Sequence, residues 1–157
     1  ILEIGAGNGA NIQALKNLFD RLNYEVTFDA VEPNEKAIVN LLEQNIVNSV
    51  VPNLENVITK YDLVFTSGVL IHIHPDKLLD FTKHIYRLSN RFIICAEYFR
   101  PEPETKPYRG EGEALFMRDF GGFYLDNFPL SCISYGFAWK RMHGIDDLTW
   151  WTFKKAN

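Results

Sequence analysis

The chain has 157 residues, 46% of them apolar and 14% aromatic, enough for one domain with one sizeable core. A net charge of −4 without a long basic run disfavours nucleic acid as the main partner while leaving room for a local basic patch, and no stretch is long and apolar enough to span a bilayer. Cys95 and Cys132 both sit in apolar, strand-like runs and read as buried free thiols, which suits a reducing, cytoplasmic compartment.

The chain opens inside a strand, Ile1 to Ile4, with no starting Met, so a preceding N-terminal segment is expected in the whole protein. From Ala10 to Leu22 the apolar residues Ile12, Leu15, Leu18, Phe19 and Leu22 fall at helical spacing. A second strand runs from Tyr24 to Val31 and ends at Glu32-Pro33. Asn34 is a suitable N-cap for a helix through Ile38, Leu41 and Leu42. Ile46 to Val51 reads as a third strand and Asp62 to Thr66 as a fourth. Pro75 fits the first turn of a helix carrying Leu78, Thr82, Ile85 and Leu88. Arg91 to Phe99 holds the fifth strand. A Pro-rich loop is expected over Arg100 to Gly112, and a helix between Ala114 and Asn127. Ser131 to Trp139 and Leu148 to Lys154 form a closing pair of strands, and their short link suits an antiparallel hairpin.

Strand and helix alternate five times, which predicts an α/β fold with a mostly parallel sheet and helices on both faces. No internal repeat or domain boundary interrupts residues 1–157.

The most informative stretch is the first turn, Glu3-Ile4-Gly5-Ala6-Gly7-Asn8-Gly9. Glycines let the backbone turn tightly and approach a ligand, and the next helix aims its free N–H groups at the same spot. This is the pattern of a nucleotide-type cofactor site. Gly5-x-Gly7-x-x-Ala10 also satisfies the dinucleotide fingerprint, which keeps an NAD-dependent oxidoreductase open. Against it stand the third glycine at position 9, the acidic Glu3 and the antiparallel end of the sheet.

These residues resemble the class I S-adenosylmethionine (SAM) methyltransferases, with their Rossmann-like sheet. The matching pieces are the glycine turn, Val31-Glu32-Pro33-Asn34 and Tyr61-Asp62-Leu63-Val64-Phe65. A narrower resemblance is to the methylases associated with pseudaminic acid biosynthesis. It is carried by Phe65 to Ile73, Ala96 to Phe99, Pro107 to Gly110, Leu115 to Phe120 and Asp146 to Trp150. It implies transfer of a methyl group from SAM to a small acceptor, a sugar or nucleotide-sugar of a surface-glycan pathway. A non-catalytic SAM-binding module is a further alternative.

The resemblance implies that Gly5, Gly7 and Gly9 line the methionine and ribose end of SAM, and that Glu3 holds its amino group or braces the loop. A carboxylate at Glu32 can accept both ribose hydroxyls. Asn48 and Ser49, read as ending the third strand, are expected at the adenine edge. Ser67 and Gly68 follow the fourth strand, at the sheet edge where ligands bind in such folds. The imidazole of His72 is the candidate general base, with Glu97 second. The alternative is that His74 caps a helix and His72 packs near the cofactor. No cluster of Cys or His supports a metal. Tyr98, Arg100, Lys106, Tyr108 and Arg109 follow the fifth strand, where cations suit an anionic acceptor.

Overall fold

The computed structural model describes residues 1–108 and 110–156, apart from the side chains at 111 and 113. Nine strands are described: β1 (Leu2–Ile4), β2 (Asp29–Val31), β3 (Ser49–Val51), β4 (Tyr61–Ser67), β5 (Ser89–Glu97), β6 (Glu104–Tyr108), β7 (Glu111–Met117), β8 (Leu130–Ala138) and β9 (Leu148–Lys155). The described helices are α1 (Ala10–Arg21), α2 (Glu35–Glu43), α3 (Pro75–Leu88), α4 (Phe120–Asn127) and the short α5 (Lys140–His143). Single 3₁₀ turns cover Leu54–Asn56 and Leu70–His72.

Seven strands form one sheet in the order β3-β2-β1-β4-β5-β9-β8. The first five are parallel; β9 runs antiparallel to both β5 and β8. The expected sheet is therefore present, including its antiparallel end. One face packs Leu2, Ile4, Val64, Ile93 and Phe153 against α3 and α4, which contribute Leu78, Ile85, Phe120 and Tyr124. The other packs Ala30 against α1 and α2 through Ile12 and Leu41.

Local chemistry explains the helix starts. Asn34 Oδ1 accepts from the N–H groups of Lys36 and Ala37, as its N-cap position predicts. His74 caps α3 by accepting from the Asp76 N–H at 3.3 Å, and Pro75 occupies the first turn. Asp119 caps α4 through the Gly122 N–H at 2.8 Å.

Several expectations change. The strands expected over Tyr24 to Val31 and Ile46 to Val51 shorten to β2 and β3. The expected Pro-rich loop over Arg100 to Gly112 holds β6 and the start of β7, a separate antiparallel hairpin. Pro107, which has no N–H to give a ladder, falls where the register shifts. Cys132 is exposed, not buried, because β8 is the outermost strand; Cys95, in the sheet centre, is buried as expected. No described helix is long and apolar enough to cross a membrane.

Candidate active site

The turn after β1 carries Gly5 at φ 75° and Gly7 at φ 52°, the left-handed region that favours glycine. Gly5 N–H donates to Val31 O at 2.8 Å, and a Cβ on Gly5 would meet Val69 Cγ2 at 2.4 Å. At Gly7 a Cβ would meet nothing within 4 Å, so the backbone there borders open space. At Gly9 a Cβ would strike Ile46 at 2.5 Å and Leu41 at 2.7 Å, so its smallness also lets α1 start close against the α2 side.

Glu32 links the turn to the end of β2. Its Oε2 accepts from Gly7 N–H at 2.7 Å and its Oε1 from Asn34 N–H at 2.8 Å. It lines a cavity of about 460 Å³ together with Gly5, Asn53, Leu54, Gly68 and His72. The volume lies in the range of small-molecule and cofactor sites. Asn48 and Ser49 are not brought there. They lie at the amino-terminal start of β3, because the strand runs Ser49–Val51; the residues after its other end, Pro52 to Glu55, line the cavity instead. Ser67 ends β4, and the Gly68 N–H donates to Ala96 O at 2.9 Å.

Two buried acids flank this cavity's frame. Glu3 is 1% exposed; its Oε1 accepts from Asn11 Nδ2 at 2.8 Å, and its Oε2 is buried without a partner among the described residues. Burial, opposed by the Asn11 hydrogen bond, raises its pKa to about 7. Glu97 is fully buried. Its Oε1 accepts from the N–H groups of Val69 at 3.1 Å and Leu70 at 3.0 Å, and its Oε2 from Ile71 at 3.4 Å. Burial outweighs these bonds and raises its pKa to about 7 as well. With both oxygens already taken by backbone N–H groups in the interior, this carboxylate has nothing left to offer an acceptor. The expectation that Glu97 is a base is corrected: it anchors the 3₁₀ turn that carries His72.

His72 is exposed at the cavity mouth, its ring 5.2 Å from that of Tyr108 on β6. His74 faces away to its capping role and contacts Phe116 edge-on at 5.2 Å.

A second, larger cleft of about 960 Å³ lies between the β6–β7 hairpin and the β8–β9 pair. Tyr98, Arg100 and Lys106 line it, as do Met117, Phe137 and Trp151. Tyr98 Oη donates to Asp146 at 2.7 Å, and burial together with that acid pushes the phenol up to about 12. Arg100 Nε meets Glu104 Oε2 at 2.6 Å, and Lys106 Nζ meets Glu104 Oε1 at 3.1 Å. The cations expected to greet an anion are thus engaged by the chain's own carboxylate. Tyr108 turns to His72, outside this cleft's lining. Arg109 lies outside the described residues.

The comparisons with known proteins fit this geometry. No family model matches the sequence, and no curated protein matches it significantly. Solved structures do match. Magnesium protoporphyrin IX methyltransferase from Synechocystis PCC 6803 with bound SAM superposes at TM-score 0.69 and 16% identity, over 99% of this chain and 69% of that one. A SAM-dependent methyltransferase from Leishmania major gives 0.72 and 19%, over 98% and 63%. The 1,6-didemethyltoxoflavin-N1-methyltransferase of Burkholderia thailandensis, with bound 1,6-didemethyltoxoflavin and S-adenosylhomocysteine (SAH), gives 0.77 and 14%, over 99% and 70%. The fold of this chain is that of the class I SAM-dependent methyltransferases. At these identities the likeness is one of architecture.

Proposed function

We propose that the chain is a SAM-dependent methyltransferase whose donor occupies the 460 Å³ cavity. The observation that carries this reading is Glu32, which lines that cavity just beyond the carboxyl end of β2 while the Gly7 N–H holds its Oε2 at 2.7 Å. The residues fit such a donor. Gly7 leaves its backbone bare toward open space, and Glu3 holds one buried carboxylate oxygen without a partner among the described residues. In this reading Glu32 accepts from the ribose hydroxyls, Gly5 and Gly7 border the methionine portion, and Glu3 answers the ammonium. Asn53 to Glu55 border the base, the task first given to Asn48 and Ser49.

SAM supplies an electrophilic sulfonium methyl. The chain contributes alignment, worth roughly 7–11 kcal/mol of barrier for well-oriented reactants, and removal of one proton, worth roughly 3–5 kcal/mol. His72 is the group at the cavity mouth that can take that proton. The acceptor is a small molecule, as 1,6-didemethyltoxoflavin is for the Burkholderia enzyme. A sugar or nucleotide-sugar acceptor of a cytoplasmic surface-glycan pathway has the five separated sequence blocks as its support.

Calorimetric titration with SAM, SAH and NAD tests the donor. SAM and SAH are expected to bind the wild type and to fail with Gly7→Leu; binding of NAD alone refutes the reading in favour of an oxidoreductase. Labelled SAM then tests catalysis. His72→Ala is expected to slow transfer by about 10²–10⁴ without weakening SAM binding. Unchanged turnover removes His72 from the reaction, and donor binding without transfer to any acceptor marks a non-catalytic module.

A further inference from the structure

The 960 Å³ cleft carries information about the acceptor, and its charges are the first part of it. Among the described residues it presents three cations, Arg100, Lys106 and Lys140. Glu104 engages the first two, and Asp146 engages Lys140 at 2.9 Å. Asp119 and Asp147 add two more carboxylates to the lining. Three cations thus stand among four acids. An anion entering here meets no surplus of positive charge and would have to displace an existing ion pair.

The aromatic rings are the second part. Tyr135 and Phe137 stand opposite Trp151 and Thr149 in the β8–β9 register, so all four lie on one face of the sheet. Tyr135 is 74% exposed and Phe137 60% exposed, although both border a concave surface. Phe99 packs on Trp151 with ring centroids 6.2 Å apart, closing the inner end. Leu115 and Met117 supply an apolar wall from β7. Flat rings exposed around a cleft offer stacking and edge contacts to another flat ring, which aliphatic walls do not.

The hairpin lines the large cleft and touches one residue of the small cavity. Lys106 faces the large cleft, and Tyr108, two residues on, touches His72 at the mouth of the small one. Resting on the reading that the small cavity holds the methyl donor, and in place of the sugar or nucleotide-sugar that the sequence blocks suggest, we infer that the large cleft takes acceptors built on a planar aromatic ring system without net negative charge.

The test uses two probes of one shape and different charge, 2-naphthol and 2-naphthoate at pH 7, titrated against the whole chain with SAH present. Quenching of tryptophan fluorescence and calorimetry read the binding. Naphthol is expected to bind at least tenfold more tightly than naphthoate, and Phe137→Ala to weaken naphthol at least threefold. Glu104→Gln sits on an exposed hairpin and frees Arg100 and Lys106. It is expected to strengthen naphthoate at least fivefold and to change naphthol less than twofold. Equal or tighter binding of naphthoate by the wild type overturns the inference. So does failure of both probes on protein that binds SAH, an outcome that leaves the donor reading standing. Naphthol selectivity on protein that ignores SAH has the reverse meaning: it upholds the cleft's preference and strikes the donor reading.

Discussion

The two cavities are held by opposite means. Around the small one the polar contacts run from backbone N–H groups to buried carboxylates: Gly7 and Asn34 to Glu32, and residues 69–71 to Glu97. Around the large one they run between exposed side chains: Arg100 and Lys106 to Glu104, and Tyr98 and Lys140 to Asp146. Backbone donors are fixed by the fold and lose no side-chain entropy when used. Exposed ion pairs contribute little and weaken with salt. In the proposed reading, the difference suits a donor site that holds one unchanging molecule and an acceptor site that admits and releases another.

The largest expected effect of breaking this contrast is at Gly5. Gly5→Val adds a Cβ only 2.4 Å from Val69 Cγ2, at a φ of 75° that a β-branched residue resists. Overpacking and backbone strain each cost about 1–3 kcal/mol. Denaturant titration should therefore show a loss of about 2–6 kcal/mol, with SAM binding abolished. Glu104→Gln, across on the hairpin, should leave the denaturation midpoint in place. Equal losses from the two would remove the distinction between a rigid and a soft site.

A smaller effect follows from the buried acids. Glu3 and Glu97 have pKa values of about 7 in the folded chain, against a usual 4.5. Between those pH values the folded chain keeps protons that the unfolded chain has lost, so stability falls as pH rises through that window. The loss is about 3 kcal/mol per acid at most. Denaturation midpoints measured from pH 4 to 8 should trace it, and Glu3→Gln should remove about half the slope. If Glu3 answers the donor's ammonium, SAM binding at pH 6 also releases a proton, which calorimetry in buffers of different ionisation enthalpy detects. A flat stability profile would mean that neither acid is held protonated.

What the sequence disclosed follows the same division. The glycine turn was legible because its demands are local: left-handed φ at Gly5 and Gly7 needs glycine, and Glu32 falls directly after β2, where its carboxylate takes the turn's Gly7 N–H. The parallel sheet was legible from strand–helix alternation. Glu97 was misread because the groups that enclose it are 26–28 residues away in the chain, on the turn after β4. Asn48 and Ser49 were misread because a strand of three residues leaves no periodicity to fix its ends. Pro101, Pro103 and Pro107 read as loop formers and hid the β6–β7 hairpin, which pairs by register with residues up to 13 positions on. Arg100 and Lys106 read as free cations because Glu104 between them had no visible reason to fold back on both.

The smallest effect tests how the soft side is fastened. Tyr98 at the end of β5 donates to Asp146 Oδ2, and Lys140 Nζ reaches Oδ1 of the same carboxylate. Lys140 N–H also donates to Asp147 at 2.8 Å, so the segment from α5 to β9 is clasped to the sheet at one acid pair. Tyr98→Phe removes the phenol bond and keeps the ring. Amide exchange over residues 140–147 should quicken by about two- to tenfold, the reach of one net hydrogen bond. Exchange in β1, β4 and β5 should not change, because the backbone-to-carboxylate contacts there are untouched. Raised salt should quicken the same segment in the wild type by screening Lys140 from Asp146, and should add less in the variant. A change that spreads into the glycine turn would show instead that the two cavities share one cooperative unit, and that the hairpin contact between Tyr108 and His72 transmits as much as it touches.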